Sequence, residues 1–428
     1  MKHQVKLIAL ALCALGSTGA QAVSFTQNDV TLDINGTING YYVNRDSTAT
    51  DKNGATTKTT NSALSNGLLP GWINFVVTTK VEDLDIKAHV SFAPGINSNS
   101  QVVGLPIGNN AGGAGTVNPY SQIDTRNLYF SFGNANMGTV KFGRDIGLFG
   151  QDIILSDMTL IGVGGTSNAS IPYNTTFGMI GHGYMYTGFQ AQISYTTPSV
   201  NGFQASAGIF QPSKFAGDET KNPGFQAKAD YTWAGAAPGK VWVGMVTQNT
   251  DCSSASTCNG ATVNSVTTTT IAGVPYFTVN TTQNPGAAFR ANGQEIGAKA
   301  SFGNLGLVAY TFSAKGLGLS TVGAQFLGGS DGTGNRTESK GYFLQGTYQV
   351  TPKTKIGLNF GQNTDKNGAV SATTDGELKN KAFTLGAYHS LNKYVTLVAE
   401  YNQEKHTHSV DSANTKNDTM SLGGIIFF

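Results

Sequence analysis

Along this 428-residue chain, stretch after stretch places apolar and polar side chains in turn. Val30–Val43 is the clearest. Val30, Leu32, Ile34, Ile38 and Tyr42 share one face, and Thr31, Asp33, Asn35, Thr37 and Asn39 share the other. Successive side chains of a strand point to opposite faces, so a period of two predicts strands. The candidates are 30–43, 71–80, 86–93, 124–132, 139–144, 189–197, 203–210, 224–234, 240–248, 293–302, 307–314, 341–350, 355–361, 382–390, 394–401 and 419–428. The connections between them alternate between short and long. Short ones include Val81–Asp85, Gly303–Gly306 and Thr351–Thr354, whereas Asn44–Pro70, Asn249–Asn292 and Asn402–Asp418 are long and polar. A soluble sandwich shows the same alternation within strands, but it does not sort its loops by side. An even strand number, with short turns at one end and long loops at the other, is the pattern of a closed outer-membrane barrel. The expectation is therefore an all-β fold: a 16-stranded antiparallel transmembrane β-barrel with short periplasmic turns, long extracellular loops and both termini at the periplasmic end.

Composition agrees with this. Charged residues are 12% of the chain, about half the ~25% of soluble domains, as expected if lipid-facing positions exclude charge. Residues 1–22 read as a signal peptide: Lys2 and Lys6, then apolar Leu7–Leu15, then Ala20-Gln21-Ala22 as a cleavage site. The mature barrel would span 23–428. Removing Lys2 and Lys6 takes 27 basic residues to 25, equal to the 25 acidic ones. A neutral chain without a basic stripe is a poor partner for nucleic acid. No apolar run of the ~18 residues a spanning helix needs follows Val23.

Two segments carry a family likeness. Arg126-Asn127-Leu128-Tyr129-Phe130-Ser131-Phe132-Gly133 and Met137-Gly138-Thr139-Val140-Lys141-Phe142-Gly143-Arg144 resemble the fourth strand, turn and fifth strand of Gram-negative general porins. Tyr195-Thr196-Thr197-Pro198-Ser199 with Gly202-Phe203 is similar to that family's next turn. The chain ends Gly423-Gly424-Ile425-Ile426-Phe427-Phe428, and a terminal Phe428 looks like the signal read by the barrel-assembly machinery. The resemblance implies a homotrimer in outer-membrane lipid. It also implies a third loop folded into each pore and passage of small hydrophilic solutes and ions, with no cofactor. The sharp motifs cover only about 20 residues. The chain departs from the family in a long Thr-rich fifth loop and a longer, more apolar third loop.

A sixteen-stranded barrel leaves an aqueous channel whose selectivity depends on what narrows it. The segment after Arg144, roughly Asp145–Gly188, is the candidate constriction; it holds Asp145, Asp152 and Asp157 and no Lys or Arg. Carboxylates facing basic wall residues would set a field across the pore. Lys87, Arg126, Lys141 and Arg144 are the candidate partners, and Asp152 and Asp157 are expected to ease the passage of cations. Turn formation is an equal alternative for the aspartates. Arg126 is in phase with outward-pointing Leu128 and Phe130, which would place it at the rim or against a neighbouring subunit. Trp72, Trp233, Trp242, Tyr41, Tyr42, Tyr231, Tyr394 and Tyr401 fall near strand ends, as aromatic girdles do.

Cys252 and Cys258, close together in the fifth long loop, read as a disulfide in an oxidising compartment. The six histidines have no metal-site spacing, and His406 and His408 read as loop surface. No Walker loop, dinucleotide fingerprint or nucleophile elbow is present, so the chain does not read as an enzyme. A hydrolase using His89 or His182, a substrate-selective channel and a surface-binding adhesin barrel are the alternatives to a diffusion channel.

Overall fold

A computed structural model describes residues 23–96, 123–166, 175–212, 220–250, 259–271, 274–285, 288–318, 320, 335–368, 376–409 and 413–428. Each of the sixteen expected strands has its counterpart there. They are Val30–Thr50, Trp72–Val81, Leu84–Pro94, Leu128–Asn134, Gly138–Ile146, Phe189–Thr196, Phe203–Phe210, Gly224–Trp233, Gly239–Thr250, Phe289–Phe302, Leu305–Lys315, Glu338–Thr351, Thr354–Lys366, Glu377–Ser390, Val395–His408 and Asn414–Phe427. Neighbours pair antiparallel. The last strand pairs with the first, from Phe427 opposite Thr37 to Asn414 opposite Thr50, and this closes the sheet. No helix among the described residues is long and apolar enough to cross a membrane.

Several strands run further toward the long-loop end than alternation predicts. The first continues past Val43 to Thr50, and the strand expected to stop at Tyr401 continues to His408. In Asn402–His408 both faces are polar, so the period of two vanishes while the backbone ladder goes on to Thr407 opposite Asn414. Hydrogen bonding needs no apolar face, and periodicity reads only the faces. Three elements were not anticipated as separate strands. Val23–Gln27 folds back on the start of the first strand, Thr56–Ser65 pairs with its upper half, and Ile123–Asp124 meets Ala93–Pro94. Asn259–Ile271 and Val274–Pro285 form a hairpin in the fifth long loop. Cys252, Cys258 and residues 1–22 lie outside the described residues.

The two faces are reversed relative to a soluble protein. Leu358 is 52% exposed on the outside, and its neighbour Asn359 is 1% exposed on the inside. In the last strand Leu422 and Met420 face out while Ser421 and Thr419 are buried. Near the short turns Phe203, Tyr231 and Trp233 form an outward aromatic row, with ring centroids 4.4 and 6.0 Å apart, which suits an interfacial girdle. Tyr41, Trp72 and Trp242 do not belong to one: all three are buried. Their phase on the strand points them inward, and the packed interior described below receives them.

The closure ends on Phe428. Its carbonyl accepts from the Gly36 N–H at 2.8 Å, and its own N–H donates to the Gly36 carbonyl at 3.0 Å. A Cβ at Gly36 would stand 2.0 Å from the Trp72 carbonyl oxygen on the neighbouring strand and 2.9 Å from the Phe428 ring, so only glycine lets both come this close.

Candidate functional site

The third long connection, which leaves the barrel wall at Ile146 and returns at Phe189, turns into the lumen. Its apolar content has a structural cause. Ile153, Met158, Leu160, Ile161, Val163, Met179, Ile180 and Tyr184 pack against inward-facing Tyr41, Tyr310, Phe312, Phe343 and Tyr388 to make one hydrophobic core inside the barrel.

Wall side chains hold the loop's backbone, taken in order around the barrel. Gln226 Oε1 accepts from Leu148 and Phe149 N–H at 2.8 and 3.0 Å. Glu295 Oε2 accepts from Gly150 N–H at 2.9 Å and from the Tyr310 hydroxyl at 2.8 Å. Gln345 accepts from Met158 N–H and donates to the Ser156 carbonyl. Glu400 Oε2 takes both Val163 and Gly164 N–H at 2.8 Å, while Tyr388 donates to its Oε1 at 2.6 Å. The Tyr41 hydroxyl donates to the Ile161 carbonyl at 2.7 Å. These are strand side chains on the inner face satisfying a chain segment without a ladder of its own, as buried backbone requires.

The return segment fits as tightly. Gly183 N–H donates to Asn363 Oδ1 at 2.8 Å, and a Cβ on Gly361 would lie 1.8 Å from the His182 carbonyl oxygen. Gly361→Ala is therefore expected to push the return segment off the wall. A faster cut by added protease within 175–188, compared with the parent barrel in the same detergent, checks this; an unchanged digestion pattern would count against the close fit.

The predicted acidic residues take different places. Asp152, in the short helix Gln151–Ile154, bonds Lys228 at 2.8 Å and Lys240 at 2.6 Å. Burial by itself would raise its carboxyl, but the two ammonium groups outweigh this and bring it down to about 2. Asp157 is fully buried and caps the 3₁₀ turn Met158–Ile161. It accepts from Thr159 N–H, the Tyr184 hydroxyl at 2.7 Å and Asn359. Burial pushes its carboxyl up, and the donors offset part of that. Asp145 ion-pairs with Lys141 and accepts from Asn127 at 2.7 Å.

The predicted basic residues also separate. Lys87 and Lys141 face inward on either side of Ser131 and sit over the Tyr129 ring at 5.7 and 4.9 Å. Arg126 is buried, 5.5 Å from the ring centroids of both Trp72 and Phe189. Its strand begins only at Leu128, so the phase argument that pointed it outward does not reach it. Arg144 is exposed and pairs with Leu128 and Ala191; directly paired residues share a face, and this one is the outer face. The lysines that meet Asp152 were not named from the sequence, although the signal was present. Lys228 alternates with Ala227 and Ala229 on a strand whose other inward positions are Gln226 and Asp230. Lys299 pairs directly with Lys240 on the same face, and Lys355 faces inward over the Tyr388 ring at 5.2 Å.

The comparisons with known proteins agree with this architecture. A family model described as Gram-negative porin matches residues 9–409. Among solved structures, the outer membrane channel DcaP of Acinetobacter baumannii is similar at 14% identity, over 94% of this chain and 99% of its own, with a TM-score of 0.61. OmpT of Vibrio cholerae aligns at 15% identity over 95% of this chain and all of its own, TM-score 0.55. OmpF of Salmonella typhi, solved with daunomycin, aligns at 13% identity over 95% and 100%, TM-score 0.54. No curated protein matches in sequence.

Proposed function

The chain belongs to the Gram-negative porin family, and from that premise we propose that it is a passive diffusion channel for small hydrophilic solutes with a preference for anions. The observation that carries the charge preference is the make-up of the inward surface. Lys87, Lys141, Lys228, Lys240, Lys299 and Lys355 are partly exposed there, against Asp33, Asp145, Asp152 and Asp230. Of these aspartates, Asp145, Asp152 and Asp230 are in ion pairs with lysines. Glu295, Glu400 and Glu404 are buried and occupied in holding the third loop, so they present little charge to a passing ion. Rings of charged side chains select by sign, and this surface carries a lysine excess. The third loop is the constriction in this reading. The homotrimer, the lipid annulus and recognition of Phe428 during assembly are carried over from the family. Covalent chemistry has no role.

Planar-bilayer recording in a salt gradient tests the proposal. Large open channels with a reversal potential on the chloride side are expected. A reversal potential on the potassium side would overturn the anion preference, and absence of conductance would overturn the channel.

A further inference from the structure

His182 is far in sequence from Glu404 and His406, and the three meet inside the barrel. His182 lies on the returning part of the third loop. Glu404 and His406 are two apart on the strand Val395–His408 and so share its inner face. One ligand atom from each can be chosen so that all three lie within 4.8 Å of one another. His182 Nε2 is 3.4 Å and His406 Nε2 4.0 Å from Glu404 Oε1, and the two imidazole rings have centroids 5.0 Å apart. His182 is 1% exposed and Glu404 0%.

We propose that His182, Glu404 and His406 form a binding site for a divalent transition metal ion of the zinc type, which would fasten the third loop to the far wall. Two imidazole nitrogens and one carboxylate oxygen form a donor set suited to such an ion, with a fourth position left for water. A tetrahedral ion with bonds of about 2.0–2.1 Å sets its ligand atoms about 3.3 Å apart; the 3.4 and 4.0 Å separations are close to this, and the two imidazole nitrogens, within 4.8 Å of each other, would draw together by up to about 1.5 Å.

The surroundings orient His406 and Glu404. His406 Nδ1–H donates to Asn380 Oδ1 at 2.8 Å, which leaves the Nε2 lone pair facing Glu404, the arrangement usual for a metal-ligating histidine. Neither His182 Nε2 nor His406 Nε2 makes a hydrogen bond. Two buried imidazole nitrogens without such a partner, aimed at one carboxylate, cost free energy unless something completes them. Glu404 Oε2 is held by Thr166 N–H at 3.1 Å and Asn417 Nδ2 at 3.3 Å, so its other oxygen is turned toward the imidazoles. Arg45, the nearby cation, donates to the Thr166 carbonyl at 2.8 Å.

The probes are Co²⁺ and Zn²⁺, added to the full chain in detergent after chelator treatment. One Co²⁺ per chain is expected, with the visible absorption of a four-coordinate site that Zn²⁺ abolishes by competition. His182→Gln and His406→Gln should each weaken binding at least tenfold, and Asn380→Ala, which keeps all three ligands, should weaken it tenfold or more. His389→Gln, on a hydroxyl-bonded imidazole elsewhere, should leave it unchanged. Absence of saturable binding at one ion per wild-type chain would overturn the proposal, and so would binding that survives in the His182→Gln/His406→Gln double variant. The wild-type stoichiometry and spectrum decide even if a variant fails to fold.

Discussion

Glu400→Ala is expected to raise the single-channel conductance, make it noisier, and lower the thermal stability of the barrel. One carboxylate takes two loop N–H groups and the Tyr388 hydroxyl. Removing it orphans three buried donors. At about 1–3 kcal/mol for each unsatisfied group, the loss is on the order of 3–9 kcal/mol. The loop is also anchored through Gln226, Glu295 and Gln345, so the expected result is a third loop loose at its far end rather than an unfolded barrel. Recording single channels of wild type and variant checks this, beside melting followed by the unheated-versus-boiled gel shift. The same conductance and the same melting point would show that Glu400 does not hold the loop.

Asp152→Asn has the second large effect, and its direction separates two readings. If Asp152 eases the passage of cations, removing its charge lowers cation selectivity by weakening an attractive site. If it serves to neutralise Lys228 and Lys240, removal leaves Lys228 without its carboxylate and Lys240 with Asp230 alone, which raises the positive charge of the lumen. Chloride conductance should then rise outright, not only relative to potassium. Separate chloride and potassium conductances distinguish the two. The pair also contributes to stability. The folded carboxyl at about 2 lies below its unfolded value of about 3.9. The contribution is therefore present in full above about pH 4 and is lost as the pH falls through about 2. The difference corresponds to about 2–3 kcal/mol. Acid melting curves of wild type and Asp152→Asn should converge near pH 2 and separate by pH 5. Parallel curves over that range would rule out the stabilising pair.

The strands were legible because a barrel in lipid writes both of its faces into the sequence: Leu358 beside Asn359, Leu422 beside Ser421. Legibility stopped where the outer face meets water. Asn402–His408 has no apolar side to alternate, so a strand looked like a loop and His406 looked like surface. The interior was only partly readable. Lys228 and Lys240 were visible as inward positions, but which of them would meet Asp152 depends on where the third loop crosses the lumen, and no periodicity encodes that. The approach of His182 to His406 is of the same kind. It requires Gly361 to admit the His182 carbonyl, a constraint that appears only once the backbones are in place.

The seam between Val30–Thr50 and Asn414–Phe427 has a consequence for how the barrel is made. It joins residue 37 to residue 427, the longest separation a pairing here can have, and contacts so far apart in sequence form slowly. Until they form, the molecule is an open sheet with two long unpaired edges, each a template for joining another chain. The last strand in the sequence is thus the one that converts a sticky ribbon into a sealed object. An escort that shields both edges until Phe428 reaches Gly36 would answer the main hazard of this topology.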